Sequence, residues 1–219
     1  MGAEQVSLGR EAATLRYLRR LAERCARTMG PEDVPEVVRL HLERFPGKFL
    51  SRLGAGFLTQ YYLSVVESPV GIALVAEQNG QIRGFVTACL RSGGFYRRLA
   101  RQRGFRFFPH IVSPLLRDPT LALRFVKSVF QRFQSVGGED AAELSSLAVR
   151  PEDDGLGLGL ALVVRSLDCI VERGGKDVVC AVDTSNQALI RAYESLGFVP
   201  MREIHRSDKS VLVEMCKHL

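Results

Sequence analysis

The chain contains, between a predicted strand and a predicted helix, the stretch Leu147-Ala-Val-Arg-Pro-Glu-Asp-Asp-Gly-Leu-Gly-Leu-Gly-Leu-Ala161. The strand is predicted to end at Val149, a turn containing Pro151 follows, and three alternate glycines lead into an apolar helix. Glycine lets a backbone adopt unusual dihedral angles and approach a ligand closely. The first amides of a helix lack intrahelical partners and lie at the positive end of its dipole. The stretch is therefore predicted to bind an anion such as a phosphate.

Three other interpretations of this loop stay open when its residues are taken alone. A Walker phosphate loop would need a Gly-Lys-Ser/Thr ending, which the stretch lacks. A dinucleotide-binding fold would need G-x-G-x-x-G near the start of a βαβ unit, whereas position 160 is Leu160. The glycines could also serve tight packing only.

A second segment, which follows the next predicted strand, makes the assignment more specific. The two segments read Val149-x-Pro151-x-x-x-Gly155-x-Gly157-x-Gly159 and Asn186-x-Ala188-x-x-x-x-Tyr193-x-x-Leu196-Gly197-Phe198. Together they resemble the two signature motifs of the GNAT N-acetyltransferases, over about residues 143–201. Both motifs occur in the usual order and at the usual separation, which makes coincidence a poor explanation.

The resemblance implies an α/β (α+β) fold with a mixed, mostly antiparallel central sheet, a splayed strand pair and helices on both faces. The element order agrees: helices, a hairpin at Asn79-Gly80, an insertion, then strand, loop, helix, strand, helix and two closing strands. We expect the inserted, partly helical segment to lie between the third and fourth main strands. The predicted organisation is an arginine-rich helical N-terminal extension over 1–28 and a single domain over 29–219, with the insertion at about 91–140.

The resemblance also implies acetyl-coenzyme A (acetyl-CoA) as cosubstrate, and no metal. The backbone of Leu147 and Val149 would pair with the pantetheine arm like an added strand, and amides of the loop would hold the pyrophosphate. The implied cofactor-binding residues are Leu147, Ala148, Val149, Gly155, Leu156, Gly157, Leu158, Gly159, Leu160 and Asn186. One position departs from the family pattern, because Asp154 stands where Arg or Gln is usual, and its carboxylate would weaken pyrophosphate binding unless it turns away or caps the helix.

Two side chains are candidates for the chemistry of acyl transfer. Tyr193 is implied as the proton donor to the departing sulfur, and its alternative is an aromatic ring that packs on neighbouring leucines. Glu143 resembles the general base of some family members, and its alternative is a carboxylate at the surface end of a strand. Strand alternation predicts that 143, 145, 147 and 149 lie on one side. Ser145 and Ser146 are interpreted as spacers, since no histidine or acid pattern supports a triad.

Composition narrows the remaining classes of protein. The chain is 46% hydrophobic and 25% charged, which is ordinary for a globular domain. No apolar run reaches the roughly 18 residues of a membrane span, and N-terminal arginines interrupt any signal-peptide core, so we expect a soluble, cytoplasmic protein. The five cysteines are odd in number and show no C-x-x-C spacing, so neither a disulfide framework nor a zinc site is expected.

The positive charge of the chain bears on the acceptor. The net charge is +6, and residues 91–140 alone hold ten Lys or Arg against three acids. Phe95, Tyr96, Arg97 and Arg98 could line a pocket for an anionic acceptor such as a nucleotide-linked amino sugar, whereas a basic cleft disfavours polyamines. A solvated, arginine-rich face explains the same residues equally well.

The predicted function is N-acetyl transfer from acetyl-CoA to a primary amine of a small molecule by direct attack. The first alternative is a catalytically inactive GNAT-fold module that binds coenzyme A or interacts with nucleic acid. Nucleic acid is the weaker partner, because no helix-turn-helix or aromatic RNA-binding strand is apparent. The second alternative is a protein or peptide N-acetyltransferase. A homodimer stays open.

Overall fold

A seven-stranded sheet organises the part of the chain that the structure, a computed structural model, describes: residues 2–91, 107, 140–206 and 210–219, with the backbone alone for residues 2–11. The strands are β1 (Ala26–Thr28), β2 (Gly71–Gln78), β3 (Gln81–Cys89), β4 (Ala142–Val149), β5 (Asp177–Asp183), β6 (Val199–His205) and β7 (Val211–His218). Their order across the sheet is β1-β2-β3-β4-β5-β7-β6. Neighbouring strands run antiparallel except β4 and β5, which are parallel, so the predicted mixed, mostly antiparallel sheet is confirmed.

Helices cover both faces of this sheet, as the sequence predicted. Among the described residues they are α1 (Gly2–Cys25), α2 (Val34–Arg44), α3 (Phe49–Arg52), α4 (Gly54–Val66), α5 (Leu158–Glu172) and α6 (Gln187–Ser195). One apolar cluster joins α1, α5 and α6 to one face, and a second joins α2 and α4 to the other. Strand alternation divides β3 between them, since Val86 and Ala88 belong to the first cluster and Phe85 and Cys89 to the second.

Residues with positive φ form the turn between β2 and β3 and the end of α5. Asn79 and Gly80 both have positive φ, 53° and 72°, which a two-residue hairpin turn between β2 and β3 requires. The end of α5 is closed by Gly174, whose φ is 78°, while the amide of Gly175 donates to the carbonyl oxygen of Ile170 at 2.9 Å. The hairpin therefore lies where Asn79-Gly80 predicted it, and glycine also closes the end of α5.

The parallel pair β4 and β5 separates after a short contact. Their paired residues are Ala142–Leu144 of β4 and Val178–Cys180 of β5. Beyond Leu144, β4 continues to Val149 without pairing with β5, which pairs with β7 along its whole length. This separation is the predicted splay, and it leaves a groove between the two strands at their carboxyl ends.

The N-terminal segment is joined to the sheet rather than separate from it. Leu18 and Ala22 of α1 are buried in the cluster that contains α5, and β1 pairs with β2 at the sheet edge. The division of the chain at residue 28 stays a prediction, although the helix predicted over 1–28 ends at Cys25 and gives way to β1.

The predicted helical insertion lies almost entirely outside the described residues. Phe107 is described: it is buried in the α2 and α4 cluster, with its ring 5.1 Å from that of Phe57. The candidate acceptor residues Phe95 to Arg98 and the helix predicted from Thr120 to Phe133 fall outside the described part.

Candidate active site

The outer edge of β4 has free peptide groups in the groove. The amide of Arg150 donates to the carbonyl oxygen of Arg83 at 2.8 Å, which fixes the phase of the β3–β4 ladder. Because the N–H and C=O groups of successive residues in a strand point to opposite edges, those of Leu147 and Val149 point away from β3. Strand β5 does not reach them, since its pairing with β4 stops at Leu144. An extended ligand could therefore pair with this edge of β4.

The glycine loop opens towards the same groove. A short 3-10 turn over Pro151–Asp153 is followed by Gly155 and Gly157, whose φ values are 79° and 81°. These left-handed conformations favour glycine, and a Cβ added to Gly155 would meet no described atom within 4 Å. The loop therefore leaves open space where a ligand would approach its backbone.

The first turn of α5 presents unpaired amides beside this space. Its first hydrogen bond runs from the amide of Ala161 to the carbonyl oxygen of Gly157, at 2.9 Å. The amides of Leu158, Gly159 and Leu160 precede that bond and have no partner within the helix. With the positive end of the helix dipole, they form an arrangement suited to a pyrophosphate.

Asp154, the departure from the family pattern, forms an ion pair across the loop. Nη2 of Arg44, at the end of α2, lies 2.9 Å from each of the two carboxylate oxygens of Asp154. Asp154 is the C-cap of the 3-10 turn over Pro151–Asp153, and its side chain does not cap α5, whose N-cap is Gly157. The guanidinium of Arg44 thus lies beside the loop. It belongs to α2, whereas in the family pattern an Arg or Gln is usual at the position of Asp154 in the loop itself.

A second ion pair joins the connection between α2 and α3 to the end of β5, on the other side of the groove. Nζ of Lys48 lies 2.8 Å from Oδ2 of Asp183, the last residue of β5. Hydrogen bonds from Lys48 and Ser185 lower the pKa of Asp183 to about 2. Residues 44–48, which we call the α2–α3 strap, therefore contact the loop after β4 through Arg44 and the end of β5 through Lys48.

A bulge in β4 changes the predicted orientation of the catalytic candidate Glu143. On β3 the consecutive residues Thr87 and Ala88 lie opposite Ser146 and Leu144 of β4. Ser145, between those two, has no partner on β3 and is the extra residue of the bulge. Glu143 lies opposite Cys89, which faces α2 and α4, whereas Leu147 packs in the cluster with α5. The prediction that 143 and 147 share one side is therefore wrong, because the bulge inverts the alternation between them.

The bulge places Glu143 on the α2 and α4 face of the sheet, whereas Leu147 lies on the α5 face. Glu143 is half-buried, and Ser146 and Ala148 share its face, as their partners Thr87 and Phe85 do. An amine that approaches from the α2 and α4 side would meet this face.

Tyr193 lies inside the apolar cluster beneath the groove. Its side chain is 3% exposed, its ring centroid is 5.0 Å from that of Phe198, and Leu196 belongs to the same cluster. Burial, and then the nearby Cys180 thiol, raise the pKa of Tyr193. The phenol is therefore held in its protonated form, which rules it out as a base at neutral pH.

Asn186 is the N-cap of α6. Its side-chain oxygen accepts a hydrogen bond from the amide of Leu189 at 3.1 Å, and the residue is exposed. The cap sets the start of the helix that carries Tyr193, which is a structural role. The predicted contact of Asn186 with the cofactor arm stays a prediction.

One buried polar pair that was not predicted from the sequence, His41 and Tyr62, lies on the α2 and α4 side of the sheet. Nδ1 of His41, a residue of α2 that is 3% exposed, lies 2.6 Å from Oη of Tyr62, which also hydrogen-bonds Ser146. Burial lowers the pKa of His41 to about 4, so the ring is uncharged at neutral pH. Spacing gave a partial signal, because His41 follows Val37 and Val38 on the apolar face of α2. Nothing in the sequence indicated its link to Ser146.

The described ranges hold neither a metal-binding group of side chains nor a membrane-spanning helix. No group of three or more His, Cys, Asp or Glu side chains there is placed to hold a metal ion. No helix among those residues is both long enough and apolar enough to cross a bilayer.

Comparisons with known proteins agree with this geometry. A family model described as "Acetyltransferase (GNAT) family" matches residues 34–198. Curated relatives include a mycothiol acetyltransferase of Thermobispora bispora, 45% identical over 56 residues that make up 26% of this chain and 19% of the relative. Another, of Acidothermus cellulolyticus, is 44% identical over 62 residues, 28% of this chain and 19% of the relative. The chain thus spans about a fifth of the length of these relatives.

Solved structures share the fold over nearly the whole chain. The ribosomal-protein-alanine N-acetyltransferase from Brucella melitensis superposes with a TM-score of 0.60 at 18% identity, covering 89% of this chain and 99% of that one. Arabidopsis thaliana NAA60 in complex with acetyl-CoA gives a TM-score of 0.57 at 16% identity, with coverage of 89% and 98%. At these identities the likeness is one of fold alone.

Proposed function

We propose, from the premise that this chain belongs to the GNAT family of acetyltransferases, that it transfers the acetyl group of acetyl-CoA to a primary amine by direct attack on the thioester. The observation that carries the proposal is the free edge of β4 at Leu147 and Val149, which leads directly to the unpaired amides at the start of α5. No described atom lies within 4 Å of a Cβ added to Gly155, which supports the approach of a pyrophosphate to the loop backbone. A solved protein of the same fold, NAA60, is described in complex with acetyl-CoA.

The residues of the groove have separate parts in the proposed reaction. A backbone amide in the Leu147–Val149 edge polarises the thioester carbonyl, and the groove holds the thioester and the amine in line. The amine nitrogen attacks the carbonyl carbon, the carbon–sulfur bond breaks, and the protonated phenol of Tyr193 supplies a proton to the sulfur. Glu143, on the α2 and α4 face, accepts the proton of the amine, through water.

We further propose that the acceptor is an anionic small molecule, of which a nucleotide-linked amino sugar is one example. The net charge of +6 and the ten Lys or Arg of residues 91–140 support this class. The curated relatives are named mycothiol acetyltransferases, which agrees with a small-molecule acceptor. A cationic polyamine would be repelled by the same charge.

A panel of amines tests the acceptor class, with free coenzyme A measured as the product. The panel consists of a nucleotide-linked amino sugar, the free amino sugar, spermidine and a peptide with a free N-terminus. We expect the anionic sugar to be acetylated fastest and spermidine slowest. Faster acetylation of the peptide would overturn the small-molecule proposal. Binding of acetyl-CoA with no transfer to any member would favour the inactive module instead.

A further inference from the structure

Two large hydrophobic side chains lie in water beside the glycine loop. Tyr17 of α1 is 59% exposed and Leu156 of the loop is 62% exposed. A Cβ added to Gly157, the residue between Leu156 and α5, would lie 3.8 Å from Cε1 of Tyr17 and 3.6 Å from Cδ2 of Leu18. The Tyr17 ring therefore stands within van der Waals reach of the loop that the proposed function assigns to the pyrophosphate.

The position of Tyr17 is fixed by the packing of its own helix. Leu18 and Ala22 are buried against the cluster that contains α5, and the guanidinium of Arg19 pairs with Asp168 of α5 at 3.1 Å. These contacts hold α1 against α5, so the exposed ring next to Leu18 has a defined place at the start of α5. An exposed aromatic ring held in this way is available to a ligand.

We propose that Tyr17 stacks on the adenine ring of coenzyme A, with Leu156 as a second apolar contact. The inference rests on the proposed function, because it takes the pyrophosphate to lie on the amides at the start of α5. In coenzyme A one ribose separates that pyrophosphate from the adenine, so the base lies close to whatever borders the loop. The ring of Tyr17 borders it.

The chemistry of the neighbourhood suits the nucleotide end of the cofactor. An aromatic face offers stacking to any base, and the tyrosine ring orders few rotatable bonds in doing so. Arg20 lies one helical turn beyond Tyr17 and is exposed, which gives the same face of α1 a positive charge beside an anionic ligand. This assigns a use to the arginine-rich N-terminal helix.

The rival occupant of this face is a second copy of the chain. The adenine explains more, because the exposed ring is continuous with the loop and not isolated on the far side of the helix. Other exposed hydrophobic side chains, such as Val171 near the other end of α5, have no such neighbour in the site.

The test measures binding of two probes, coenzyme A and 4′-phosphopantetheine, by calorimetry to the wild type and to Tyr17→Ala, Tyr17→Phe and Val171→Ala. Stacking of a base on an aromatic ring corresponds to roughly a 5- to 100-fold change in affinity. Tyr17→Ala is therefore expected to weaken coenzyme A by that factor and to leave 4′-phosphopantetheine, which lacks the nucleotide, unchanged. Tyr17→Phe keeps the ring and should bind coenzyme A as the wild type does. Val171→Ala is the matched control for loss of an exposed apolar group.

Each other outcome has a distinct meaning. Equal affinity of Tyr17→Ala and wild type for coenzyme A would overturn the stacking proposal and leave the acetyltransferase proposal standing. Equal weakening of both probes would also overturn it, because the change would then act on the loop. A shift from dimer to monomer in Tyr17→Ala at unchanged affinity would assign the face to a second copy. Absence of coenzyme A binding by the wild type would overturn the proposed function and this inference together.

Discussion

Burial determines what the phenol of Tyr193 can contribute to acyl transfer. The side chain is 3% exposed, and burial followed by the Cys180 thiol raises its pKa. A phenol that stays protonated cannot remove a proton from an amine, so donation to the departing sulfur is the role that we propose for it. Tyr193→Phe removes the proton donor and keeps the ring that packs on Phe198. We expect turnover to fall roughly 10- to 1000-fold, with thermal stability and acetyl-CoA affinity nearly unchanged.

The pH dependence of turnover separates this role from that of Glu143. If Glu143 accepts the amine proton, Glu143→Gln should recover activity at high pH, where more of the amine is already neutral. Tyr193→Phe should show no such recovery, since its defect lies at the sulfur. Turnover against pH for both variants, with an acceptor found in the amine panel, gives the comparison. Wild-type turnover by Tyr193→Phe would make Tyr193 a packing residue.

The buried His41 gives the fold a specific sensitivity to acid. Its pKa is about 4 in the folded protein because burial disfavours the charged ring, whereas an unfolded histidine titrates near 6.5. Between these values the unfolded chain binds the proton and the folded protein does not, so stability falls as the pH is lowered from about 6.5 to about 4. The loss attributable to His41 is roughly 3 kcal/mol over that window.

The matched variant for this prediction is His41→Asn, which keeps an acceptor near Tyr62 and cannot titrate. Its absolute stability should be lower, because the ring contact with Phe45 is lost. Its unfolding free energy, from urea titrations at several pH values, should nevertheless lack the His41 slope. If the difference in unfolding free energy between the wild type and His41→Asn stays constant between about pH 4 and 6.5, His41 is not the source of the acid sensitivity.

At the scale of elements, two glycines that flank the Val149 side chain have different roles: Gly84 allows β3 and β4 to pack closely, and Gly159 borders the candidate site. A Cβ added to Gly84 of β3 would lie 2.8 Å from Cγ1 of Val149 and 2.9 Å from the carbonyl oxygen of Ala148. A Cβ added to Gly159 of α5 would lie at an ordinary 3.6 Å from the same Cγ1. The first position has no room for a methyl group, whereas the second has ordinary van der Waals spacing for one.

These distances predict opposite behaviour for two alanine substitutions. Gly84→Ala should lower stability by about 1–3 kcal/mol, because it forces β3 and β4 apart. Gly159→Ala should leave stability equal or higher, since alanine favours a helix, and should weaken acetyl-CoA about tenfold by narrowing the approach to the amides of α5. Thermal melts beside binding titrations test both. Unchanged affinity in Gly159→Ala would mean that Gly159 serves packing only.

The elements themselves were accessible from the sequence, because their signals are local. The order of helices and strands was predicted from the sequence, and Asn79-Gly80 predicted the turn between β2 and β3. The bulge at Ser145 was not accessible, because it depends on the register between β3 and β4. It is this extra residue that turned Glu143 to the α2 and α4 face and made one prediction wrong.

At the scale of the whole molecule, the contacts that complete the candidate site join residues far apart in the chain. Arg44 and Asp154 are 110 residues apart, Lys48 and Asp183 are 135 apart, and Arg19 and Asp168 are 149 apart. No periodicity or spacing carries information about such pairs. The motifs therefore indicated the loop and the edge of β4, whereas the cation beside Asp154 and the aromatic ring beside Gly157 required the folded chain.

The α2–α3 strap also sets a limit on the width of the groove that it crosses. Arg44 and Lys48 are four peptide units apart, so the backbone between them can extend to about 14 Å and no farther. Each end of this short tether is attached by an ion pair to one side of the splay. Both ion pairs are partly exposed, so each stabilises the closed arrangement by no more than about 1 kcal/mol. A related chain with a longer connection would let the carboxyl ends of β4 and β5 lie farther apart with both ion pairs intact.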